Sequence, residues 1–242
     1  MTSAEYGRRT IAIRERFERY ATALMKRYFA RQMADVRADM EAGRNPFDNW
    51  DKWDRELSDW VEPKIRTAIK VVYQNTSEYM KVDNEPNDVL VVFKAGEVMS
   101  RLAKVNDTTR EKIETVINQP RSRAVSDNVQ SAIDEVMLIF NRFIASRSPV
   151  IGLTLATAST GQGVDMAMQD NYKELFKTWR AFIDEDTRDG HEAADGQKVH
   201  EGQPFIVQAP NGDFENLRWP GDPYASAGNI INCRCYIEPS ME

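Results

Sequence analysis

Three observations predict an α+β chain, mainly α-helical, with long N-terminal helices forming a stalk or bundle and a small C-terminal module of short strands and a short helix. Apolar residues recur every three and four positions from Phe17 to Tyr73, the spacing of amphipathic helices. Beyond residue 176 that period gives way to short alternating runs between Gly- and Pro-rich turns. The same last stretch holds both histidines, His191 and His200, and both cysteines, Cys233 and Cys235. These shifts divide the chain into a helical stalk or anchor at 1–104, a helical linker body at 105–176 and a C-terminal module at 177–242.

Ser3 is the expected N-cap of the first helix. Phe17, Ala21, Leu24 and Tyr28, then Met25, Phe29, Met33, Val36 and Met40, give it an apolar face, and Gly43 with Pro46 supplies the stop. Forty helical residues reach about 60 Å. A helix that long packs either on a partner or on its own chain's core, and both readings stand. A second stripe runs through Phe47, Trp50, Trp53, Leu57, Trp60 and Val61, with Asn49 as its cap, and core packing is the default for three indoles on one face. Pro63 either kinks this helix or opens the next, which continues through Ile65, Ile69, Val72 and Tyr73.

Asn84 to Asp88 breaks the pattern. Val89–Phe93 is rich in β-branched residues, yet Leu90, Phe93, Val98 and Leu102 fit a helix opened by Asp88, and helix is the expectation. Thr108 or Thr109 then starts a short helix ending near Pro120. Ser126 or Asp127 caps another through Ile133, Val136, Phe140 and Ile144. A last helix follows Pro149 towards Phe176, with a break expected at Gly161 and Gly163. In the module, residues 177–184 read as a strand and Asp186 as the cap of a short helix through Arg188, His191 and Ala194. Residues 205–207 and 230–237 read as further strands, the last placing Cys233 and Cys235 on one face.

With 41% hydrophobic and 10% aromatic residues in 242, the chain has material for a real core, which excludes wholesale disorder. Uninterrupted apolar runs stop at five residues (Val89–Phe93, Val136–Phe140), against the roughly 20 of a bilayer span. MTSAEYGRRT has no apolar secretion segment. The expectation is a soluble protein made in a cytoplasm, with no membrane partner. Net charge is −6 and unevenly placed: residues 1–45 carry ten Arg and Lys against six Asp and Glu, and residues 181–242 carry four against twelve. The acidic module argues against broad phosphate contact there. Arg8, Arg9, Arg14, Arg16 and Arg19 offer a weak nucleic-acid surface, with a solvated helix face as the plainer reading.

Two cysteines one residue apart make a poor disulfide. Tetrahedral zinc takes four N or S ligands, often in two close pairs, and His191 with His200 and Cys233 with Cys235 would supply them. C-x-C is rarer than C-x-x-C, so a metal-free hydrogen-bonded core is the alternative. Zinc held by all four would be saturated and structural. A catalytic reading requires one of them to be absent from the shell, with His191 beside Asp184, Glu185, Asp186 and Asp189. No H-E-x-x-H, phosphate-binding loop or G-x-G-x-x-G supports catalysis, and acidic residues at a helix start have the simpler role of offsetting its dipole.

The order W-x-x-x-x-D-x-x-T-R-x-x-H-x-x-x-D-G, then Pro-Phe, P-G-D-P and N-C-R-C is carried by Trp179, Asp184, Thr187, Arg188, His191, Asp195, Gly196, Pro204, Phe205, Pro220 to Pro223, and Asn232, Cys233, Arg234 and Cys235. In this the chain resembles the phage head-morphogenesis family similar to phage Mu protein F, the minor head proteins of tailed phages. Residues 105–109 and 151–163 resemble it more weakly. One departure is Thr154-Leu155 where the family usually has Thr-Glu, so a contact from that glutamate is missing or rebuilt. The resemblance implies a minor capsid component inside the phage head at the portal vertex. It would bind the portal protein or inner capsid surface, with packaged DNA as a further partner, oligomers within the particle, and no substrate turnover. The alternative is a zinc-dependent hydrolase, nuclease or protease, acting during head maturation.

Overall fold

The computed structural model describes residues 1–48, 50–119, 125–170 and 174–241, with the backbone alone for 103 and 125–128. Helix α1 (Ser3–Glu41) has 39 residues. Its cap is Thr2 rather than Ser3. The Thr2 hydroxyl accepts from the Glu5 amide while the Glu5 carboxylate accepts from the Thr2 amide, a reciprocal box that serves two otherwise unpaired donors. Ser3, one residue inside, donates to Glu238 near the other end of the chain. Met25, Tyr28, Phe29 and Val36 are buried against the chain's own helices, so of the two readings of this long helix the bundle is the one realised.

Helix α2 (Trp50–Met80) is continuous through Pro63. Pro63 lies on the solvent side, so the carbonyl it leaves unpaired costs less than in a buried turn, and buried Val61, Ile65 and Ile69 hold both halves to the core. Trp50 and Trp53 are core residues, and Trp60 is half-buried under Arg27 and Arg31. Asn49, the expected cap, lies outside the described residues. Helix α3 (Asp88–Met99) is capped by Asn87, which accepts from the Val89 and Leu90 amides. The helix is as expected, and of its expected face Val98 and Leu102 are buried and Leu90 partly so, with Val91 and Ala95 beside them, whereas Phe93 is 63% exposed.

Helix α4 (Ala103–Ile117) begins before Thr108 and Thr109 and runs across the expected boundary at 104. Both threonines sit inside it, their hydroxyls donating to the carbonyls of Lys104 and Val105. Helix α5 (Val125–Arg142), a π-helical turn at Phe143–Arg147 and helix α6 (Ser148–Gln169) form one rod. Ser126 and Asp127 lie within α5, and their side chains are outside the described ones. No break occurs at Gly161 or Gly163. A Cβ at Gly163 would collide with Ile69 and Val72 of α2, so its bare backbone marks a close helix approach. Between Val129 and Gln169 the rod also contains an 18-residue window with the length and composition of a bilayer span, mean hydropathy 1.3 and 28% of it buried. Counting uninterrupted runs misses this because small and polar residues divide the apolar ones. Core helices meet the same measure, and the α6 half is buried against α1 and α2.

In the C-terminal module, β1 (Leu175–Arg180) is the middle strand of an antiparallel sheet, flanked by β2 (Lys198–His200) and β5 (Tyr236–Met241). Strands β3 (Phe205–Gln208) and β4 (Phe214–Leu217) form a separate hairpin. Two short helices, α7 (Asp189–Ala193) and α8 (Ala227–Ile230), complete it. The first strand therefore ends four residues short of Asp184, and α7 has Arg188, not Asp186, in its cap position. Residues 231–235 are a loop rather than strand. The architecture is the expected α+β, mainly helical class.

A buried charge joins the module to the rod. Asp165 of α6 is 5% exposed and accepts from Gln169, with Lys177 of β1, Lys94 and Arg218 as the nearest attractions. Burial outweighs them and pushes its carboxyl up from 3.8 to about 6. Between those values the folded chain holds a proton that the unfolded chain has lost, so stability falls as pH rises through that window. At full ionisation this costs about 3 kcal/mol. Asp165→Asn is expected to melt with wild type near pH 4 and above it at pH 7, as thermal melts across that range would show.

Candidate metal centre

The module's motif residues converge on one imidazole. His191 sits on α7, buried, with Trp179 of β1 edge-on at 5.5 Å and Phe205 of β3 packed on the far side of that indole at 5.4 Å. The turn after α7 ties back to β1: the Gly196 amide donates to the Trp179 carbonyl and the Ala181 amide to Asp195 Oδ1. Thus Trp179, Asp195 and Gly196 fix where α7 stands.

The cysteines approach from the other side. Asn232 takes a left-handed conformation (φ 59°), which Asn tolerates better than other residues with a side chain, and the chain turns there before entering β5. Cys233 and Cys235 point inward and are reduced, while Arg234 between them grips the Asp184 carboxylate with both guanidinium nitrogens. Asp184 is held for that grip by its own turn, accepting from the Thr187 hydroxyl and the Asp186 amide. The Arg234 bond holds its carboxyl below the ordinary carboxylate range. Arg188 donates to the Ile231 carbonyl at the start of the loop.

Three contacts from the helical body hold the same loop. Arg14 of α1 donates to the Arg234 carbonyl, Thr157 of α6 to the Cys233 carbonyl, and Thr154 accepts from the Asn232 amide at 3.4 Å. These fasten the loop, with Leu155 buried between Thr154 and Thr157 in sequence. Arg14, 3% exposed, is therefore no part of a nucleic-acid surface. Arg8, Arg9, Arg16 and Arg19 remain exposed, and Arg9 pairs with Glu78.

The ligand atoms of His191, Cys233 and Cys235 lie within 4.8 Å of one another and form a group that can hold a metal ion. Nδ1 of His191 is 3.6 Å from Cys233 Sγ and 3.5 Å from Cys235 Sγ. A tetrahedral zinc with the usual Zn–S and Zn–N bonds needs an N···S separation of about 3.6 Å. One cation between them would bond all three atoms at once. The tautomer suits this. Asn229 Nδ2 donates to the Glu215 carboxylate at 3.0 Å, which turns Asn229 Oδ1 towards His191 Nε2 at 3.3 Å. Nε2 then carries the hydrogen and Nδ1 faces the sulfurs, the arrangement by which a ligand histidine is oriented from behind. Burial pushes the Glu215 carboxyl up, but bonds from Ser226 and Asn229 outweigh it and hold it below the ordinary value.

The thiols themselves are coupled. A hydrogen bond from Cys235 lowers the Cys233 pKa, with Arg188 and Arg14 acting in the same direction, and that same bond raises the Cys235 pKa.

His200 is not in the group. It pairs with Phe176 across β1, four residues or about 13 Å from the Arg180–Tyr236 pair beside Cys235, and its ring lies half-exposed against Phe176. The shell from sequence thus keeps His191, Cys233 and Cys235 and loses His200. Asp184, Glu185, Asp186 and Asp189 do not join the group either. Asn229, Glu215, Arg14 and Thr157 belong to the site and carried no motif; the one available signal was Arg14, a charge on the buried stripe of α1, four residues from Thr10 and seven from Ala21. Comparison with known proteins found no matching family model, no matching curated protein and no matching solved structure.

Proposed function

We propose that this chain is a minor head protein of a tailed phage, a structural assembly factor that works at the portal vertex inside the head, and that zinc on His191, Cys233 and Cys235 holds its C-terminal module together. The observation that carries the reading is the ordered motif from Trp179 to Cys235, whose several independent elements resemble one family. In support, those elements meet around a single site: Trp179, itself backed by Phe205, packs its histidine, and Asn232 with the Asp184–Arg234 pair sets its cysteine loop. The partners are the portal protein or inner capsid surface, and packaged DNA is a further one. The test is co-sedimentation of the purified protein with procapsids, beside deletion of its gene. Binding and defective heads are expected; no association together with normal particle yield and infectivity would sink the reading.

The second reading, a zinc-dependent hydrolase of head maturation, draws on one specific observation. With His200 outside the shell, three protein ligands remain, the number that catalytic zinc sites commonly use. It requires metal-dependent turnover of nucleic acid or capsid protein that His191→Ala abolishes.

A further inference from the structure

The zinc reading, on which this inference rests, leaves one of four tetrahedral positions without a protein ligand. Among the described residues no fourth His, Cys, Asp or Glu joins His191, Cys233 and Cys235. Beside these three lies a cleft of about 10 Å³, walled by Phe182, Asp186, Thr187, Arg188, Asn232 and Arg234. That is room for about one water molecule. It is far too small for a peptide or nucleotide.

We propose that the fourth position of this centre is open to the cleft and holds an exchangeable water, which a small monodentate anion can displace. The charge balance makes water the resting ligand. Two thiolates cancel the two positive charges of zinc, so water leaves the centre neutral and an anion leaves it at minus one. Arg188 and Arg234 line the cleft through which the anion enters, Arg234 paired with Asp184 and Arg188 bonded to the Ile231 carbonyl. In the exchange the metal–oxygen bond to water breaks, the bond to the anion forms, and water leaves through the cleft. A larger ligand reaches the metal only by one projecting anionic atom. This restricts the centre to water, small anions or a single carboxylate or phosphate oxygen, and separates it from saturated structural zinc, which exchanges nothing.

Cobalt(II) in the full-length protein reads this directly, because its visible bands report the ligand set. The expected result is a tetrahedral cobalt spectrum with thiolate character that shifts saturably as azide is added, with Arg188→Gln requiring roughly fivefold more azide. A tetrahedral cobalt spectrum that azide leaves unmoved in both proteins would mean a fourth protein ligand and would overturn the proposal while leaving the zinc reading intact. Failure to bind cobalt or zinc at all, in protein whose thiols titrate as reduced, would overturn the zinc reading and this one with it.

Discussion

Replacing Cys233 and Cys235 together with serine is expected to take bound zinc from one per chain to none and to unfold the C-terminal module while the helical bundle persists. Apparent zinc binding energies in small modules are about 10–16 kcal/mol. Trp179, Phe205, Leu217, Trp219 and Ile237 of the module are buried in a core continuous with that of the helices, so only part of that energy appears as lost stability. A drop of several kcal/mol, confined to residues 175–241 in hydrogen exchange, is the expected size. Serine in a buried thiol site costs roughly 1–3 kcal/mol even without metal, so the variant alone does not decide the matter. The deciding arm is wild type with a strong chelator, which should match the double variant. Metal content by mass spectrometry, on protein purified without a histidine tag, comes first. Wild type that carries no zinc and melts unchanged in chelator leaves the three residues as a hydrogen-bonded core and removes the hydrolase alternative as well.

The helices were legible where a stripe was long. From Phe17 to Met40 the spacing marks one face, and that face packs on the core, with Ala21, Met25, Tyr28, Phe29 and Val36 buried and the rest partly so, because no local rule competes with a pattern sustained over several turns. Their starts were less legible. Ser3 and Thr2 are equally good caps by type, and the reciprocal bond with Glu5 selects Thr2. Thr108 and Thr109 are cap residues by propensity, yet a threonine inside a helix can return its hydroxyl to a carbonyl four residues back, and both do. Pro63, Gly161 and Gly163 read as interruptions because propensity is local; tertiary packing overrides all three.

At the site, strand alternation puts Cys233 and Cys235 together for a reason the structure replaces. They meet because Asn232 reverses the chain and Arg234 is pulled outward by Asp184. His200 enters the expected shell only as the other histidine, and its place is set by pairing with Phe176, a register that spacing does not carry. Asn229 and Glu215, thirty-eight and twenty-four residues beyond His191, orient its ring through a chain of two hydrogen bonds that only the folded hairpin and α8 create.

Trp219→Ala is expected to cost about 3–5 kcal/mol, the usual range for removing a buried indole. Trp219 is fully buried at the seam between the module and α6, with the Arg218 guanidinium 4.0 Å above its ring and Arg218 itself forked onto Asp222. Across the seam stands Gly161, where an added Cβ would meet the indole and the Pro220 carbonyl. This gives the partner substitution a sign that helix propensity alone gets wrong. In an open helix Gly161→Ala would gain up to about 1 kcal/mol. Here it must push Trp219 and its turn away from α6, and overpacking of that kind costs about 1–3 kcal/mol. A net loss is expected, read as a lower denaturant midpoint. Combined with Trp219→Ala the same alanine should be far less harmful, since the indole that it struck is gone; the Pro220 carbonyl keeps the relief partial. Coupling of about 0.5–3 kcal/mol in that double-mutant cycle would place the module on α6 through this contact. Strict additivity would mean that Trp219 stabilises the module from within and that α6 is held to it elsewhere, through Thr157 and the cysteine loop.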